Sequence, residues 1–175
     1  MAYAAGILIL SWHNGKLFSL LGKDQYYTYS DFGGKCEYND KGNTFVTAAR
    51  ETYEEMCGSY LSITELIYKL YDAPVIETLS YTNKPYYMYI VFIPYDENIC
   101  NHFDKIATFI HPLSNMYKFK EKISIKWILF SDVLHNNVSL RNIFHRTIEF
   151  HKDKILCNAY KYKRTNTKYY YGEQR

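Results

Sequence analysis

A chain of 175 residues with a net charge of +3, 47% hydrophobic and 22% charged, has the length and composition of one soluble domain with its own core. Four cysteines without a CxxC pair argue against a structural zinc site and a secreted disulfide framework, and fit reduced thiols in the cytoplasm. No segment approaches the roughly 20 apolar residues of a membrane span, so no membrane partner is expected.

In chain order, Tyr3 to Leu10 is an apolar, β-rich run, too short and lacking the basic start of a signal peptide. Asn14-Gly15 supplies a two-residue hairpin turn and Leu17 to Leu21 returns as the second strand. Tyr26 to Phe32 is an aromatic stretch whose rings at 26, 27 and 29 suit packing under a sheet or stacking on a base. It ends at Gly33-Gly34, where the backbone must turn or admit a close neighbour. A polar loop from Glu37 to Asn43 then leads to a helix over Thr44 to Met56, with Asn43 or Thr44 as N-cap.

Ser62 to Leu70 and Val75 to Ser80 read as strands, with helix as the alternative for the first. Tyr86 to Ile93 is a core strand stopped by Pro94. Residues 95–120 are irregular, with a helix inserted near Asp104 to Ile110. Ile123 to Phe130 is a strand, Ser131-Asp132 a turn or cap, and Leu140 to Leu156 an amphipathic helix. This order predicts an α+β layout or a three-layer α/β/α sandwich around a mixed sheet. The expected organisation is one domain over residues 1–156 and a basic, Tyr- and Lys-rich tail over 157–175. Residues 151–175 hold seven Lys or Arg against Asp153 and Glu173, a surplus suited to a polyanion such as RNA.

The chemistry concentrates in Arg50-Glu51-Thr52-Tyr53-Glu54-Glu55-Met56-Cys57-Gly58. Glu51, Glu54 and Glu55 stand at i, i+3 and i+4, so one helix face carries all three. Each like-charge pair costs a helix about 0.2–0.5 kcal/mol, and the C-terminal end of the macrodipole disfavours anions further. A hard divalent cation reverses both penalties. The stripe of Phe45, Ala48, Ala49, Tyr53 and Met56 lies on the other side, so the helix is expected to bury that stripe and offer its carboxylates to a cleft.

Gly33-Gly34-Lys35-Cys36-Glu37, followed by Ala48-Ala49-Arg50-Glu51 and Glu54-Glu55, closely resembles the Nudix box, a loop–helix–loop of pattern GGx5Ex7REUxEExGU. The opening hairpin and the strand around Trp127 extend the likeness over most of residues 3–150. Two spacings depart from the pattern. Fifteen residues separate Gly34 from Arg50 where the box has thirteen, so the glutamate expected before the arginine falls on Gly42 and Asp40 is its substitute. The closing glycine also comes one residue late, with Cys57 in its place and Gly58 expected as the left-handed helix stop. Similar long loops occur in Nudix proteins of large DNA viruses. The AT-rich flavour of twenty tyrosines and sixteen isoleucines against five valines agrees with such a source.

The resemblance implies a Nudix fold and hydrolysis, dependent on Mg²⁺ or Mn²⁺, of a diphosphate linked to another moiety X. It implies metal ligation by Glu51, Glu54, Glu55 and the carbonyl of Gly34. Arg50 would orient a box carboxylate by a bidentate pair, with Glu51, Glu54 or Glu121 as the catalytic acids and bases. Lys35 and Tyr29 are the candidate substrate contacts, for phosphate and base. Small nucleotides are the first substrate class. Capped RNA and diphosphoinositol polyphosphates are the enzymatic alternatives, and a ligand-sensing module without catalysis is the alternative of another class.

Overall fold

The computed structural model describes residues 3–170 apart from 81 and 114, with side chains to residue 166. Seven strands form one mixed sheet: β1 (Ala4–His13), β2 (Lys16–Asp24), β3 (Tyr29–Ser30), β4 (Phe32–Lys35), β5 (Val75–Leu79), β6 (Pro85–Phe92) and β7 (Lys122–Leu129). The helices are α1 (Thr44–Glu55), α2 (Ile63–Leu70), α3 (Asn98–Ile110), α4 (Phe130–Leu134) and α5 (Asn142–Tyr170). Helices lie on both faces, as the sandwich layout predicts. No described helix is long and apolar enough to cross a membrane.

The central strand β1 pairs with β6 in parallel along Ala4 to Leu10. Its other edge is shared: β2 pairs antiparallel with the half from Ile9 onward, and β4 with Ala4 to Ile7. The segment from Tyr29 to Lys35 therefore changes partner at Asp31, from β2 to β1. That change of partner splits the sheet and leaves Gly33-Gly34 at the split, beneath α1.

One core cluster lies under α1, α2 and α3, with Ala48 and Ala49 fully buried; the small side chains let α1 approach β1 and β4 closely. The second lies under α4 and α5 around Leu8, Leu10, Met88, Ile90 and Phe144. Buried alternation of β1 and β6 side chains between the clusters explains why both strands read as continuous apolar runs.

Three elements differ from their sequence expectation. Residues 63–70 are helical, because Ser62 and Glu65 close a capping box that outweighs the β-branched composition. The inserted helix α3 starts at Asn98, with Asp96 accepting from the Asn98 N–H. The last helix does not end near Leu156: Ala159 is fully buried and its carbonyl accepts a 3.0 Å bond from Trp12 Nε1. The chain thus shows no break between residues 156 and 157, and the end of the expected tail, residues 171–175, lies outside the described residues.

Candidate active site

α1 begins where Asn43 accepts from the Phe45 and Val46 N–H groups, settling the N-cap on Asn43. It ends in a Schellman motif: Gly58 N–H reaches Tyr53 O at 2.8 Å and Cys57 N–H reaches Glu54 O at 3.0 Å. The expected stop at Gly58 is corrected by one residue. Cys57 itself takes the left-handed conformation (φ 54°), and Gly58 follows at φ 61°. The Cys57 Sγ donates to Phe119 O at 3.1 Å in a buried setting, and that burial pushes the thiol up to about 11.

Arg50 is the hub of the acidic face. Its Nε and Nη2 make two parallel 3.0 Å bonds to Asp40, and its Nη1 bridges Glu51 at 2.9 Å and Glu54 at 3.1 Å. The bidentate partner is therefore Asp40, with the box glutamates sharing the remaining nitrogen. Asp40 is 2% exposed and also accepts from Thr47 Oγ1 and the Glu37 N–H. Burial opposes its charge, but Arg50 and these donors prevail and hold the carboxyl below the ordinary range. Counted from Gly34, Asp40 stands at the position of the box glutamate. The two extra residues fall after it, at the left-handed turn of Lys41 and Gly42.

The three carboxylates are not equally presented. On a helical wheel Glu55 is only about 20° from Ala48 at 100° per residue, so the face that buries Ala48 and Thr52 also buries Glu55, at 1% exposure. The expectation that all three face a cleft is corrected accordingly. Glu55 accepts from the Gly33 N–H at 2.7 Å and pairs with Lys122 Nζ at 3.3 Å. Glu51 is 8% exposed, and Glu54 keeps the most open position of the three. Burial, only partly offset by Arg50 and Lys122 respectively, pushes Glu51 and Glu55 up to about 7 each. Burial likewise raises Glu54, against the pull of Arg50 and Lys118.

Gly34 lies against this face. A Cβ built on it would stand 2.5 Å from the Glu51 carboxylate, so any side chain there would displace that carboxylate. Hard oxygen donors, short of compensating cations, suit Mg²⁺ or Mn²⁺ by their chemistry. Glu51, Glu54, Glu55 and the Gly34 carbonyl are the groups that would hold such an ion, Glu55 from its buried position beside Gly33. Among the described residues no three His, Cys, Asp or Glu side chains converge tightly enough to hold an ion as they stand.

Other expected contacts are distributed around this centre. Glu121 is exposed at the end of a 3₁₀ turn (Tyr117–Lys120), near enough to raise both Glu51 and Glu55. Lys35 is exposed at the end of β4, where its carbonyl accepts from Arg50. Tyr29 packs on the second core cluster and under the Lys23 ammonium, and lines no described cavity by the carboxylates.

Sequence reading missed five residues. Lys118 Nζ bonds Glu37 at 2.5 Å and lies 3.7 Å from Glu54. Lys122 is buried behind Glu55. Asp31, Tyr86 and Arg141 line a cavity of about 200 Å³ on the α5 side of Gly33-Gly34, with Leu79, Met88 and Phe144 as apolar walls. Tyr86 crosses over Gly6 and Gly33, where a Cβ on either would collide with it, to donate a 2.5 Å bond to Asp31. Arg141 is pinned by Asp24 at 2.9 Å. No periodicity or motif marks these residues, because only the tertiary fold gathers them from separate strands, turns and the start of α5.

No family model matches the sequence, and no curated protein matches it. The fold, however, matches solved structures along nearly its whole length. An Ap4A hydrolase of C. elegans in a binary complex aligns over 87% of this chain and 98% of its own, at a TM-score of 0.57 and 15% identity. The NUDIX domain of Shewanella oneidensis NrtR, complexed with ADP ribose, aligns over 87% of each chain at 0.55 and 12% identity. A Nudix hydrolase of M. smegmatis, RenU, aligns over 88% of this chain and 86% of its own at 0.55 and 12% identity. The architecture is thus the Nudix fold, the expected α+β arrangement of mixed sheet and box helix.

Proposed function

We propose that the protein is a pyrophosphohydrolase, dependent on Mg²⁺ or Mn²⁺, that cleaves a diphosphate joined to a moiety X in a nucleotide. The position of Gly34 carries this reading. On one side it touches the Glu51 carboxylate, and on the other it lines the 200 Å³ cavity. A diphosphate laid across Gly34 reaches the acidic face while its neighbouring group enters the cavity.

A hard divalent cation, when bound, supplies charge that offsets the phosphate oxygens and makes the attacking water more acidic. Arg50 holds Glu51 and Glu54 in place for it and does not ligate. Glu121, on the open rim, is the proposed base that takes the water's proton, and Lys35 and Lys118 flank the phosphates. Leu79, Met88 and Phe144 suit a flat ring, with Asp31 and Arg141 as polar ends.

A hydrolysis screen with Mg²⁺ or Mn²⁺ tests the reading on nucleoside triphosphates, dinucleoside polyphosphates, NADH, ADP-ribose, inositol pyrophosphates and capped RNA. Glu51→Gln and Glu54→Gln should abolish the turnover seen for the wild type and keep the fold. The engagement of Glu55 by Lys122 favours a second reading, a ligand-sensing module. Binding of a nucleotide with no hydrolysis anywhere in the panel would establish it. For RNA, charge reversal at the exposed Lys152 and Lys161 tests the basic end of α5 without unpacking Ala159 from Trp12.

A further inference from the structure

We infer, resting on the proposed hydrolase reading, that the cavity beside Gly33-Gly34 selects guanine, with Asp31 reading the N–H edge of the base and Arg141 its carbonyl oxygen. A buried carboxylate opposes folding unless donors surround it, yet the sheet is arranged around this one. Asp31 is 7% exposed and stands where the chain leaves β2 for β1. Tyr86 donates to its Oδ2 at 2.5 Å. The ring reaches that far because Gly6 and Gly33 leave it room, and a Cβ on either would collide with the phenol oxygen. Burial raises the phenol well above its ordinary range, so Tyr86 keeps its proton and Asp31 is the acceptor. Burial raises the Asp31 carboxyl as well, with Tyr86, Lys122 and Arg141 pulling against it. Further N–H donors from a bound base would complete that compensation.

Arg141 lines the same cavity and is oriented before any ligand arrives. Asp24 takes its Nη2 at 2.9 Å, and Asp24 is itself fixed by the Tyr26 and Thr28 N–H groups and the Thr28 hydroxyl. A guanidinium carries five N–H donors, so this one pair does not exhaust it. Leu79, Met88 and Phe144 add apolar walls for a flat ring. The order of polar groups then decides which base fits. Guanine presents two neighbouring N–H donors, N1–H and the N2 amine, beside the acceptor O6. A carboxylate takes the two donors together and a guanidinium the oxygen. Adenine and cytosine bring one amine beside a ring nitrogen, and uracil flanks a single N–H with two carbonyls that a carboxylate repels. With the base in the cavity, its diphosphate lies across Gly34 toward Glu51.

Calorimetric titration of the full-length protein with α,β-methylene diphosphates of guanosine, inosine, adenosine, cytidine and uridine, in Mg²⁺, tests this without turnover. The guanosine analogue should bind about 10-fold or more tightly than those of adenosine, cytidine and uridine, within the range one bidentate pair gives to base discrimination. Inosine, which lacks the N2 amine, should fall between. Asp31→Asn keeps an acceptor for Tyr86 and should bring guanosine and adenosine within about threefold, below that range. Should Asp31→Asn fold poorly, Arg141→Met removes the partner of O6 and should narrow the preference in the same way. Equal affinity for all bases in the wild type overturns the inference. So does a variant that weakens every analogue alike and keeps their ratios, the mark of a purely structural tie between Asp31 and Tyr86. In both cases hydrolysis in the nucleotide screen leaves the hydrolase reading in place. A guanosine preference without hydrolysis of any nucleotide overturns that reading and keeps the guanine site, and a wild type that binds no analogue overturns both.

Discussion

Arg50 holds Asp40 through two parallel 3.0 Å hydrogen bonds, and the same guanidinium reaches Glu51 and Glu54 with its third nitrogen. An aspartate from the loop, shorter by one methylene than the glutamate of the box pattern, thereby sets where two helix carboxylates stand. The extra loop residues, Lys41 and Gly42, are absorbed in a left-handed turn after Asp40 and leave this geometry intact.

Asp40→Asn should therefore damage both stability and activity. Removing one partner of a buried pair that retains its arginine costs about 3–5 kcal/mol, readable as a drop in urea midpoint. Hydrolysis should fall by about 10–100-fold through misplacement of Glu51 and Glu54. Because folding holds the Asp40 carboxyl low, its contribution is present above the unfolded value of 3.8 and lost as pH falls through the lower folded value. The acid limb of the wild-type stability curve should flatten in the variant.

Gly34→Ala is expected to fold and to lose turnover. The new Cβ would lie 2.5 Å from the Glu51 carboxylate, so that carboxylate must move. A displacement of about 1 Å in a reacting array costs about 100-fold in rate. Steady-state kinetics on the best substrate of the screen, beside a circular dichroism spectrum, checks it; undiminished turnover would remove Gly34 from the site.

Glu51 and Glu55 give the protein without divalent ion a pH dependence of the opposite sign to that of Asp40. Their folded values near 7 exceed the unfolded 4.5, so the folded state binds more protons between those limits. Their contribution to stability falls as pH rises from about 4.5 to 7 and levels off above. Melting in EDTA should show this decline, reduced in Glu51→Gln. Adding Mn²⁺ at pH 7.5 should restore wild-type stability and not that of the variant.

The helix end offers a test far from the charges. Gly58→Ala places a Cβ 2.9 Å from the Tyr53 ring at a φ of 61°, and should destabilise by about 1–2 kcal/mol from the left-handed backbone alone. Alanine at Cys57 keeps the same backbone strain and loses the bond from Sγ to Phe119 O, worth about 1 kcal/mol. Thermal unfolding of both variants checks the order.

Much of the site was legible in the chain itself because its signals are local. Three glutamates at i, i+3 and i+4, an arginine beside them, a glycine pair upstream and an Asn cap depend on helix geometry and backbone freedom. The hairpin at Asn14-Gly15 and the core strand ended by Pro94 are local in the same sense. Tertiary structure decided the rest. Glu55 lies only about 20° from Ala48 on the wheel, so how far α1 rolled onto β1 and β4 decided whether it faced solvent or core. Lys122 was turned inward by a bulge that exists only in the pairing of β7 with β2. Asp31, Tyr86 and Arg141, far apart in sequence, meet because β4 leaves β2 for β1 at the split in the sheet and α5 closes over it. Periodicity along one chain records which face an element turns to its core, whereas the register between strands decides which of those faces meet.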